Sequence, residues 1–391
     1  MKQSYMLLLV DCLLIYSDLL HEKVDNNMAK LIDCNLKWFL QHVHKKRIIA
    51  FSAGRKFLKF VSDFKLERRI EFVIDNDDKK QGTVITINDV KIEIENIEKL
   101  LEYSNRDYII LISNLASYAH IMRQLNQYNK LQNIECYSVA LMQDRCKKEE
   151  VIYTGGVQKI PKTIHYCWFG GNPIPDYLCK YMESWKRYCP DYEIIRWDET
   201  NYNVEKNSYM KEAYECKKWG FVPDYARLDI IAECGGIYLD TDVEIIKSFD
   251  DLLNDKSFFG FTNYNEINLG SGFGSVADNE FILELRDSYN GVYFLDANRE
   301  MNLTSCIAYQ APVFRKMGYK FCNQQQNINN NVVYPVEVFN PKGVLGMNNL
   351  FTSNTHSIHH AARTWETEKN NRDYYEGRQL LKDIEIEYVE D

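Results

Sequence analysis

Features that would point to other kinds of protein are missing from this chain of 391 residues. Its eleven cysteines include no C-x-x-C pair, and an odd number of scattered thiols in a chain this long predicts reduced, buried cysteines in a cytosolic protein. No long basic run occurs and the net charge is −9, which disfavours nucleic-acid binding because a phosphate backbone requires a basic surface. One nucleotide bound through a divalent cation stays compatible with this charge.

The chain also lacks a long uninterrupted apolar stretch. Residues 5–20 are mostly apolar, but Asp11 and Asp18 interrupt them and no small-residue cleavage site follows. This stretch therefore predicts a core strand or helix rather than a signal peptide or a membrane span. Since no basic amphipathic anchor is evident either, we expect a cytoplasmic protein with at most peripheral contact at the inner membrane face.

The first 150 residues alternate between apolar runs and amphipathic helical patterns. This order of strand, turn, helix and strand is typical of a doubly wound α/β sheet, so we expect a Rossmann-like accessory domain over residues 1–150. The predicted strands are Arg47–Phe51, Ile70–Ile74 and Tyr108–Ile112, and the predicted helices cover residues 56–64 and 117–128.

The glycine-rich turn of this domain is degenerate. Only Gly54 follows the first predicted strand, whereas a dinucleotide fingerprint needs three glycines. Asp75 ends the next strand, at the position of a ribose-binding acid, but a single acid is weak evidence. We expect this domain to serve docking, assembly or acceptor positioning, and a working NAD site is the alternative.

A domain boundary is predicted where the charged residues 143–150 precede the flexible residues 154–156. We expect the second domain over residues 158–365. A charged tail follows over residues 366–391, and its sequence predicts a helix at residues 373–383.

The second domain begins with a predicted strand over residues 163–168 that runs into a Gly-Gly turn. Ligands of open α/β sheets bind at the carboxyl ends of strands. Trp168 therefore lies where an indole can stack on a nucleobase, and membership of the core is the alternative.

A buried helix is predicted from Pro223 onward, because proline favours the first helical turn and mainly apolar residues follow. Asp224 and Arg227 are three residues apart and share one face of this helix. In a cleft the two side chains would hold sugar hydroxyls. The alternative is a structural ion pair.

Residues 235–239, with the sequence GGIYL, predict a strand that ends in Asp240-Thr241-Asp242. Two carboxylates one residue apart suit a hard divalent cation such as Mg²⁺ or Mn²⁺, which proteins commonly hold through one or two carboxylates and the substrate's phosphates. An isolated D-x-D carries little information, and the strand in front of it makes this signal specific.

Far downstream, a short predicted strand carries the adjacent histidines His359 and His360. Neighbouring residues of a strand point to opposite faces, so at most one of the two is expected at a given site. Imidazole is a suitable further ligand for Mn²⁺, and a surface or core pair is the alternative.

In order and spacing, these four elements resemble the sugar transferases of glycosyltransferase family 32, which include bacterial capsular-polysaccharide transferases and Golgi enzymes. The resemblance covers about residues 158–365. It implies an α/β protein whose second domain is a nucleotide-sugar-binding domain of the GT-A type, with a mixed central sheet flanked by helices. The smaller Rossmann-like domain precedes it.

The resemblance also implies roles for individual residues. Asp242 would ligate Mn²⁺ or Mg²⁺ directly, and Asp240 would take part in the same site. One of His359 and His360 would complete the coordination.

Around the metal, the resemblance implies a nucleotide-sugar site. Asp224 and Arg227 would contact the donor sugar, beside the catalytic carboxylates. Further donor contacts are expected from Trp168 on the base, His165, Tyr166, Tyr238, Asn268 and, over the diphosphate, Trp365.

The resulting prediction is a metal-dependent, retaining hexosyltransferase that uses a nucleotide sugar, with UDP-sugars favoured. Its acceptor is expected to be an oligosaccharide or a lipid-linked glycan in capsular or cell-surface polysaccharide synthesis. Two alternatives stay open: a catalytically inactive carbohydrate-binding scaffold, and a sugar-modifying NAD-dependent enzyme that acts through residues 1–150.

Overall fold

A computed structural model describes residues 28–103, 107–114, 117–144, 150–263, 265–342 and 350–362, together with residues 372, 375–377, 379, 380, 384 and 386–389. The chain divides into two compact units. Unit 1 is built from the described parts of Met1–Cys34, Leu40–Val139 and Leu380–Asp391, and unit 2 from those of Asn35–Phe39 and Ala140–Gln379.

Unit 1 contains one eight-stranded sheet. Its strands are β1 (Lys30–Asp33), β2 (Arg47–Phe51), β3 (Ile70–Ile74), β4 (Val84–Ile87), β5 (Val90–Glu95), β6 (Tyr108–Ile112), β7 (Glu135–Ser138) and β17 (Ile386–Tyr388). They lie in the order β17-β1-β7-β6-β2-β3-β5-β4, and neighbours run parallel except for the antiparallel pair β4 and β5. The three strands predicted in this region are confirmed residue for residue.

Short helices lie between or after these strands along the chain: α1 (Leu36–His42), α2 (Arg55–Asp63), α3 (Ile97–Glu102), α4 (Tyr118–Leu125) and α5 (Val139–Asp144). Residues 36–39 of α1 and 140–144 of α5 are counted with unit 2. The central strand β6 is buried at every position, as expected for a parallel strand covered on both faces. The predicted βαβ order is therefore what the structure shows.

The C-terminal tail differs in part from its prediction. The described residues 375–377, 379 and 380 are helical, but Ile386–Tyr388 forms a strand that pairs with β1 in the register Leu31↔Ile386. Apolar residues alternate with glutamates over residues 384–388, which is the period of a half-buried strand. The high charge of the tail masked this signal.

Unit 2 contains a seven-stranded mixed sheet and a separate strand pair. The sheet strands are β8 (Thr163–Cys167), β9 (Glu193–Trp197), β10 (Gly236–Tyr238), β12 (Ser257–Gly260), β13 (Phe273–Ser275), β14 (Gln326–Ile328) and β15 (Asn331–Tyr334). Their order is β14-β15-β12-β13-β10-β8-β9, with β13 antiparallel to both of its neighbours. β11 (Val243–Ile245) and β16 (Ser357–His359) form the separate pair.

The helices of unit 2 are α6 (Asp176–Tyr188), α7 (Ser208–Glu215), α8 (Pro223–Cys234), α9 (Glu280–Asp287), α10 (Cys306–Lys316) and α11 (Val336–Phe339). α8 is buried from Asp224 to Ala232, because it lies in the main hydrophobic core of this unit. The mixed sheet flanked by helices, which the family resemblance implies, is present.

The cysteines and the helices bear on two further expectations. The described cysteines are free thiols, but Cys234 and Cys322 are exposed, so the expectation of buried thiols is wrong for these two. Among the helices that the structure describes, none is long and apolar enough to cross a membrane.

Candidate donor and metal site

Asp240 and Asp242 follow directly after the buried strand β10. This strand lies between β13 and β8 and runs parallel to β8. The Leu239 N–H still donates to the carbonyl of His165 at 3.1 Å, whereas the Asp240 N–H turns to the carbonyl of Gly270 at 3.2 Å. The backbone therefore leaves the sheet at Asp240, and both carboxylates lie at the carboxyl end of a strand, where α/β proteins bind ligands.

His165 holds the turn in front of β10. The Trp197 indole N–H donates to His165 Nδ1 at 3.0 Å, and His165 Nε2 lies 3.0 Å from the carbonyl oxygen of Gly235. Because Nδ1 accepts, we infer that Nε2 carries the proton and donates. A Cβ on Gly236, whose φ is +97°, would lie 2.8 Å from Nε2. Only glycine fits this approach.

The predicted contact of His165 with the nucleotide finds no support in this arrangement. The side chain is 1% exposed, and both ring nitrogens are engaged inside the protein. Burial lowers the pKa of His165 to about 4, which keeps the ring neutral. His165 therefore positions the turn that leads to Asp240.

Strand pairing brings His359 to the two carboxylates. β11 and β16 are antiparallel in the register Val243↔His359. One ligand atom from each of Asp240, Asp242 and His359 lies within 4.8 Å of the others, and His359 Nε2 is 3.4 Å from Asp242 Oδ1. The structure thus places His359 in the predicted metal group.

His360 lies outside this group, so His359 is the one of the two histidines that lies beside the carboxylates. Its ring stacks on Tyr181 with 3.8 Å between centroids. Its Nε2 lies 2.8 Å from Glu244 Oε2, and its Nδ1 lies 3.0 Å from Lys342 Nζ. His359 is the last residue of β16 and His360 follows it, and adjacent side chains of an extended chain point to opposite faces.

The charges of the group are strongly coupled. Burial alone would raise the pKa of Asp242, but the attraction and hydrogen bond of His359 outweigh it and lower that pKa to about 2. Burial likewise opposes the charge on His359, yet the Asp242 carboxylate raises the pKa of His359 above its usual 6.5. Burial and the neighbouring Asp242 raise the pKa of Asp240. A proton on His359 thus offsets the negative charge of the pair.

The ligand atoms of Asp240, Asp242 and His359 fit a divalent cation. Carboxylate oxygens together with an imidazole nitrogen suit Mn²⁺, and the carboxylates suit Mg²⁺. The second oxygen of Asp242 accepts the Ala362 N–H at 2.7 Å, which fixes the carboxylate's orientation in the way that outer-shell bonds fix metal ligands. Asp240, Asp242 and His359 are the residues that would hold the ion.

Mn²⁺ binding is expected to weaken at least ~10-fold when the pH falls from about 8 to about 6, because a ligating histidine must lose its proton. The sign follows from the raised pKa of His359, since the proton is retained below that pKa and lost above it. Isothermal titration of the chain with Mn²⁺ at several pH values measures the effect.

His359→Gln is expected to bind Mn²⁺ weakly and with a flatter pH dependence. His360→Gln is the matched control and should keep the affinity and pH dependence of the unmodified chain. Loss of binding in the His360 variant, with normal binding in the His359 variant, would reverse the assignment.

Arg227 connects Asp224 to the metal group. Its Nη2 lies 3.2 Å from Asp224 Oδ1 and 3.4 Å from Asp240 Oδ1, and its Nε donates to the carbonyl of Pro223 at 2.9 Å. Both partners of the ion pair on α8 are buried. The predicted ion pair of Asp224 and Arg227 therefore exists. The second partner of Arg227 is Asp240, which belongs to the metal group.

Asp224 has an unusual proton affinity. Burial raises its pKa to about 7, against the opposing charge of Arg227. Near neutral pH, part of the molecules therefore carry a protonated Asp224, which both donates and accepts hydrogen bonds. A group of this kind suits a sugar hydroxyl.

Tyr238 is a hydrogen-bond partner of Asp240. Its hydroxyl donates to Asp240 Oδ1 at 3.0 Å, and the Arg227 guanidinium lies 5.0 Å from its ring centroid. The side chain is 1% exposed. It orients Asp240, and the predicted contact of Tyr238 with the nucleotide sugar finds no support in this burial.

Gly270 is a site residue that the sequence reasoning missed. A Cβ at this position would overlap the Asp240 carboxylate and lie 3.0 Å from Arg227 Nη1. The Asn268 side chain accepts the Gly270 N–H at 2.9 Å and caps the short 3₁₀ turn Leu269–Ser271. Asn268 thereby fixes the loop against Asp240, and its predicted sugar contact stays a prediction.

The remaining predicted donor contacts have different surroundings. Trp168 is partly exposed and donates its indole N–H to the carbonyl of Asn172 at 2.7 Å, so it does not belong to the closed core. Tyr166 is half-buried with its ring edge-on to Trp185. Trp365 lies outside the described residues.

Several protein sequences are similar to part of this chain, among them the two that follow. An uncharacterized glycosyltransferase of Acanthamoeba polyphaga mimivirus is 34% identical over 125 residues, which is 29% of this chain and 50% of that protein. Inositol phosphoceramide mannosyltransferase 1 of Schizosaccharomyces pombe is 30% identical over 115 residues, or 27% of this chain and 34% of that protein. The chain thus spans half or less of the length of these curated relatives.

A solved structure titled PaToxG glycosyltransferase is 16% identical, with a TM-score of 0.34, and the match covers 60% of this chain and 90% of that one. Residues 175–259 match the family described as glycosyltransferase sugar-binding region containing DXD motif. This segment holds α8, β10 and the carboxylates of Asp240 and Asp242. Through this segment, the chain is similar to the DXD-containing glycosyltransferases, in agreement with the resemblance to family 32.

Proposed function

We propose that this chain transfers a hexosyl group from a nucleoside-diphosphate sugar to a glycan or lipid-linked acceptor, with the help of a divalent cation. The observation that carries the proposal is one continuous arrangement of side chains. Asp240, Asp242 and His359 form a donor set for the ion, and Arg227 joins that set to Asp224. The residues that would hold the ion fit the diphosphate of a nucleotide sugar, and Asp224 and Arg227 fit its sugar.

Within this proposal, Asp224 and Arg227 bind hydroxyls of the donor sugar and orient its anomeric carbon. Asp240, Asp242 and His359 would hold the cation, and a bound cation would supply Lewis-acid stabilisation of the charge on the leaving diphosphate. Trp168, which is partly exposed, stacks on the nucleobase.

We further propose retention of the anomeric configuration, as the family resemblance implies. Asp224 is already ion-paired with Arg227 and carries a raised pKa, which makes it a poor nucleophile. The acceptor oxygen therefore bonds to the anomeric carbon from the face that the diphosphate leaves, the bond from that carbon to the diphosphate oxygen breaks, and the leaving phosphate takes the acceptor's hydroxyl proton. Mass spectrometry that detects a glycosyl group bound to a carboxylate would contradict this route.

UDP-hexoses are the first donors we propose, and Mn²⁺ is the first cation. GDP-mannose is the second donor, because one relative bears the name of a mannosyltransferase. For the acceptor we propose a cell-surface or capsular glycan, or a lipid-linked precursor of one, met in the cytoplasm.

The NAD-dependent alternative loses support in unit 1. The Asp75 carboxylate, which a dinucleotide site would turn toward ribose, accepts the N–H groups of Ala53 at 2.8 Å and Asp77 at 3.0 Å and pairs with Lys80 at 3.0 Å. We propose an accessory role for this unit. The inactive-scaffold alternative is disfavoured because three residues that could hold a metal ion lie together.

A thermal-shift screen tests the proposed function. With Mn²⁺ present, one of UDP-glucose, UDP-galactose, UDP-N-acetylglucosamine and GDP-mannose is expected to raise the melting temperature. A ligand at about 100 times its Kd adds about 2.7 kcal/mol of stability, which shifts the midpoint by several degrees. The same donor should be hydrolysed slowly without acceptor, and chelation of Mn²⁺ should remove both effects.

NAD is the matched negative arm of the screen. If no nucleotide sugar stabilises the chain or is hydrolysed, the proposed function is wrong. Stabilisation by NAD alone would revive the alternative in unit 1.

A further inference from the structure

Trp168 lies at the same edge of the sheet as the metal group. β8 and β10 are parallel neighbours in the register His165↔Tyr238. Trp168 comes directly after β8, and Asp240 comes two residues after β10. Because adjacent strands lie about 4.8 Å apart, a nucleotide that is bound at the metal group through its diphosphate has the partly exposed Trp168 at the neighbouring strand end.

The turn that follows Trp168 holds its indole. The indole N–H donates to the carbonyl of Asn172 at 2.7 Å, and the backbone N–H of Trp168 donates to the carbonyl of Trp197 at 2.9 Å. Gly170 and Gly171, which we call the glycine turn, lie between the two ends of the first bond and have φ angles of +92° and +70°. The orientation of the indole therefore depends on the conformation of the glycine turn.

Trp219 packs directly against Gly170. It lies between α7 and α8 and packs against the main hydrophobic core of unit 2. A Cβ on Gly170 would lie 2.7 Å from Trp219 Cε2 and 2.8 Å from Cδ2, whereas a Cβ on Gly171 would meet no heavy atom within 4 Å. Trp219 thus ties one residue of the glycine turn to the core and leaves no room there for a side chain.

Glu199 and Tyr214 hold the same residue by hydrogen bonds. The Gly170 N–H donates to Glu199 Oε1 at 2.9 Å, and the Tyr214 hydroxyl donates to the same oxygen at 3.2 Å. The Tyr214 ring is edge-on to the Trp219 ring, with 5.1 Å between centroids. Gly170 is therefore fixed by a hydrogen bond and by an aromatic contact, and Tyr214 joins the two.

We propose that Trp219 is a positioning residue for nucleotide recognition, which holds the glycine turn so that the Trp168 indole is fixed in place before the nucleobase stacks on it. The proposal rests on the proposed function, in which Trp168 binds the base. Surface turns are usually mobile, and a side chain that is fixed before binding loses less conformational freedom when the ligand arrives. Trp219 thereby strengthens the binding of the nucleoside diphosphate by acting through Trp168.

The test compares Mn²⁺ alone with a nucleoside diphosphate. The second probe is UDP or GDP with Mn²⁺, whichever binds the unmodified chain more tightly. Trp219→Leu is expected to weaken the nucleoside diphosphate at least ~10-fold, about 1.4 kcal/mol, because the glycine turn loses its support. The affinity for Mn²⁺ alone should stay within ~2-fold, because the metal group belongs to other strands. Isothermal titration measures both affinities.

Two further comparisons separate positioning from a general structural role. Gly170→Ala places a methyl group against Trp219 in addition to the cost of a left-handed alanine, whereas the matched control Gly171→Ala carries the backbone cost alone. We expect Gly170→Ala to weaken the nucleoside diphosphate at least ~10-fold and the control to weaken it at most ~3-fold. In a chain that already carries Trp168→Leu, Trp219→Leu should have no further effect on this affinity, because the two residues act as one unit.

Four results would overturn the inference. Unchanged nucleotide affinity in Trp219→Leu would show that Trp168 needs no such support. Equal loss of Mn²⁺ and nucleotide affinity, with a lower melting temperature, would indicate a general structural role. Additive losses from Trp168→Leu and Trp219→Leu would show that Trp219 acts independently of Trp168. If the unmodified chain binds neither UDP nor GDP with Mn²⁺, the proposed function fails first and the inference falls with it.

Discussion

Replacing both Asp240 and Asp242 by asparagine is expected to abolish metal-dependent turnover of the nucleotide sugar. The loss should be at least ~1,000-fold in rate, about 4 kcal/mol of transition-state stabilisation. Asparagine keeps the shape of each side chain but removes the charge that holds a divalent cation against His359. The rate of donor hydrolysis with Mn²⁺ measures this loss, and titration with Mn²⁺ should show no tight site.

The fold should survive this double substitution. The two carboxylates belong to one group with His359, and their mutual repulsion contributes to the raised pKa of Asp240. Neutral side chains at both positions remove this repulsion. Arg227 loses one partner but keeps the ion pair with Asp224. A melting temperature close to that of the unmodified chain is therefore expected, and it shows that the lost activity is local.

Glu244→Gln is the matched control for the metal group. Glu244 lies on β11, two residues beyond Asp242, and its carboxylate contacts His360 rather than the metal group. Its variant should keep most of the Mn²⁺ affinity and most of the turnover. Undiminished turnover in the variant that lacks both aspartates would refute the metal-dependent mechanism.

Three strands of unit 1, β2, β3 and β6, were predictable because each is a mainly apolar run. Ile70–Ile74 and Tyr108–Ile112 have the predicted bounds. β17 also has the alternation of a half-buried strand, but its pairing was not predictable, because its partner β1 lies at the other end of the chain. A local pattern does not reveal a partner that is so distant in sequence.

The site likewise contains residues that a local sequence pattern predicts and a choice that only long-range strand pairing decides. The spacing of two residues after a strand predicts Asp240 and Asp242 as site residues. The spacing of three residues on a helix predicts Asp224 and Arg227. The choice between His359 and His360 depends on the register of β11 against β16. That register is set by pairing across more than a hundred residues, so the sequence left the choice open.

Buried groups without partners are harder still to foresee. Tyr209, Tyr289 and Gln310 come from three separate helices or their ends, and each has an ordinary local context in the sequence. Only folding buries them and leaves their polar atoms without a hydrogen-bond partner in the part of the chain that the structure describes. The role of Gly270 likewise depends on folding, since its lack of a side chain matters only because Asp240 and Arg227 pack against it.

Gly270→Ala is expected to lower turnover at least ~100-fold, about 2.7 kcal/mol, although a methyl group is the only addition. The new Cβ would overlap the Asp240 carboxylate and lie 3.0 Å from Arg227 Nη1. Both groups are held by further bonds, Asp240 by the Tyr238 hydroxyl at 3.0 Å and Arg227 by the Pro223 carbonyl at 2.9 Å. Neither group can move away without losing a hydrogen bond. The metal group and the pair of Asp224 and Arg227 are therefore displaced together.

Gly155→Ala separates this local effect from a general cost of replacing glycine. A Cβ at Gly155 meets no heavy atom within 4 Å, and neither Gly155 nor Gly270 has a positive φ. The control should keep normal turnover, and the Gly270 variant should show weaker Mn²⁺ binding and weaker nucleotide-sugar binding at once. If Gly270→Ala instead keeps full turnover, Asp240 moves freely, and the rigid link from the metal group through Arg227 to Asp224 is not what orients the donor.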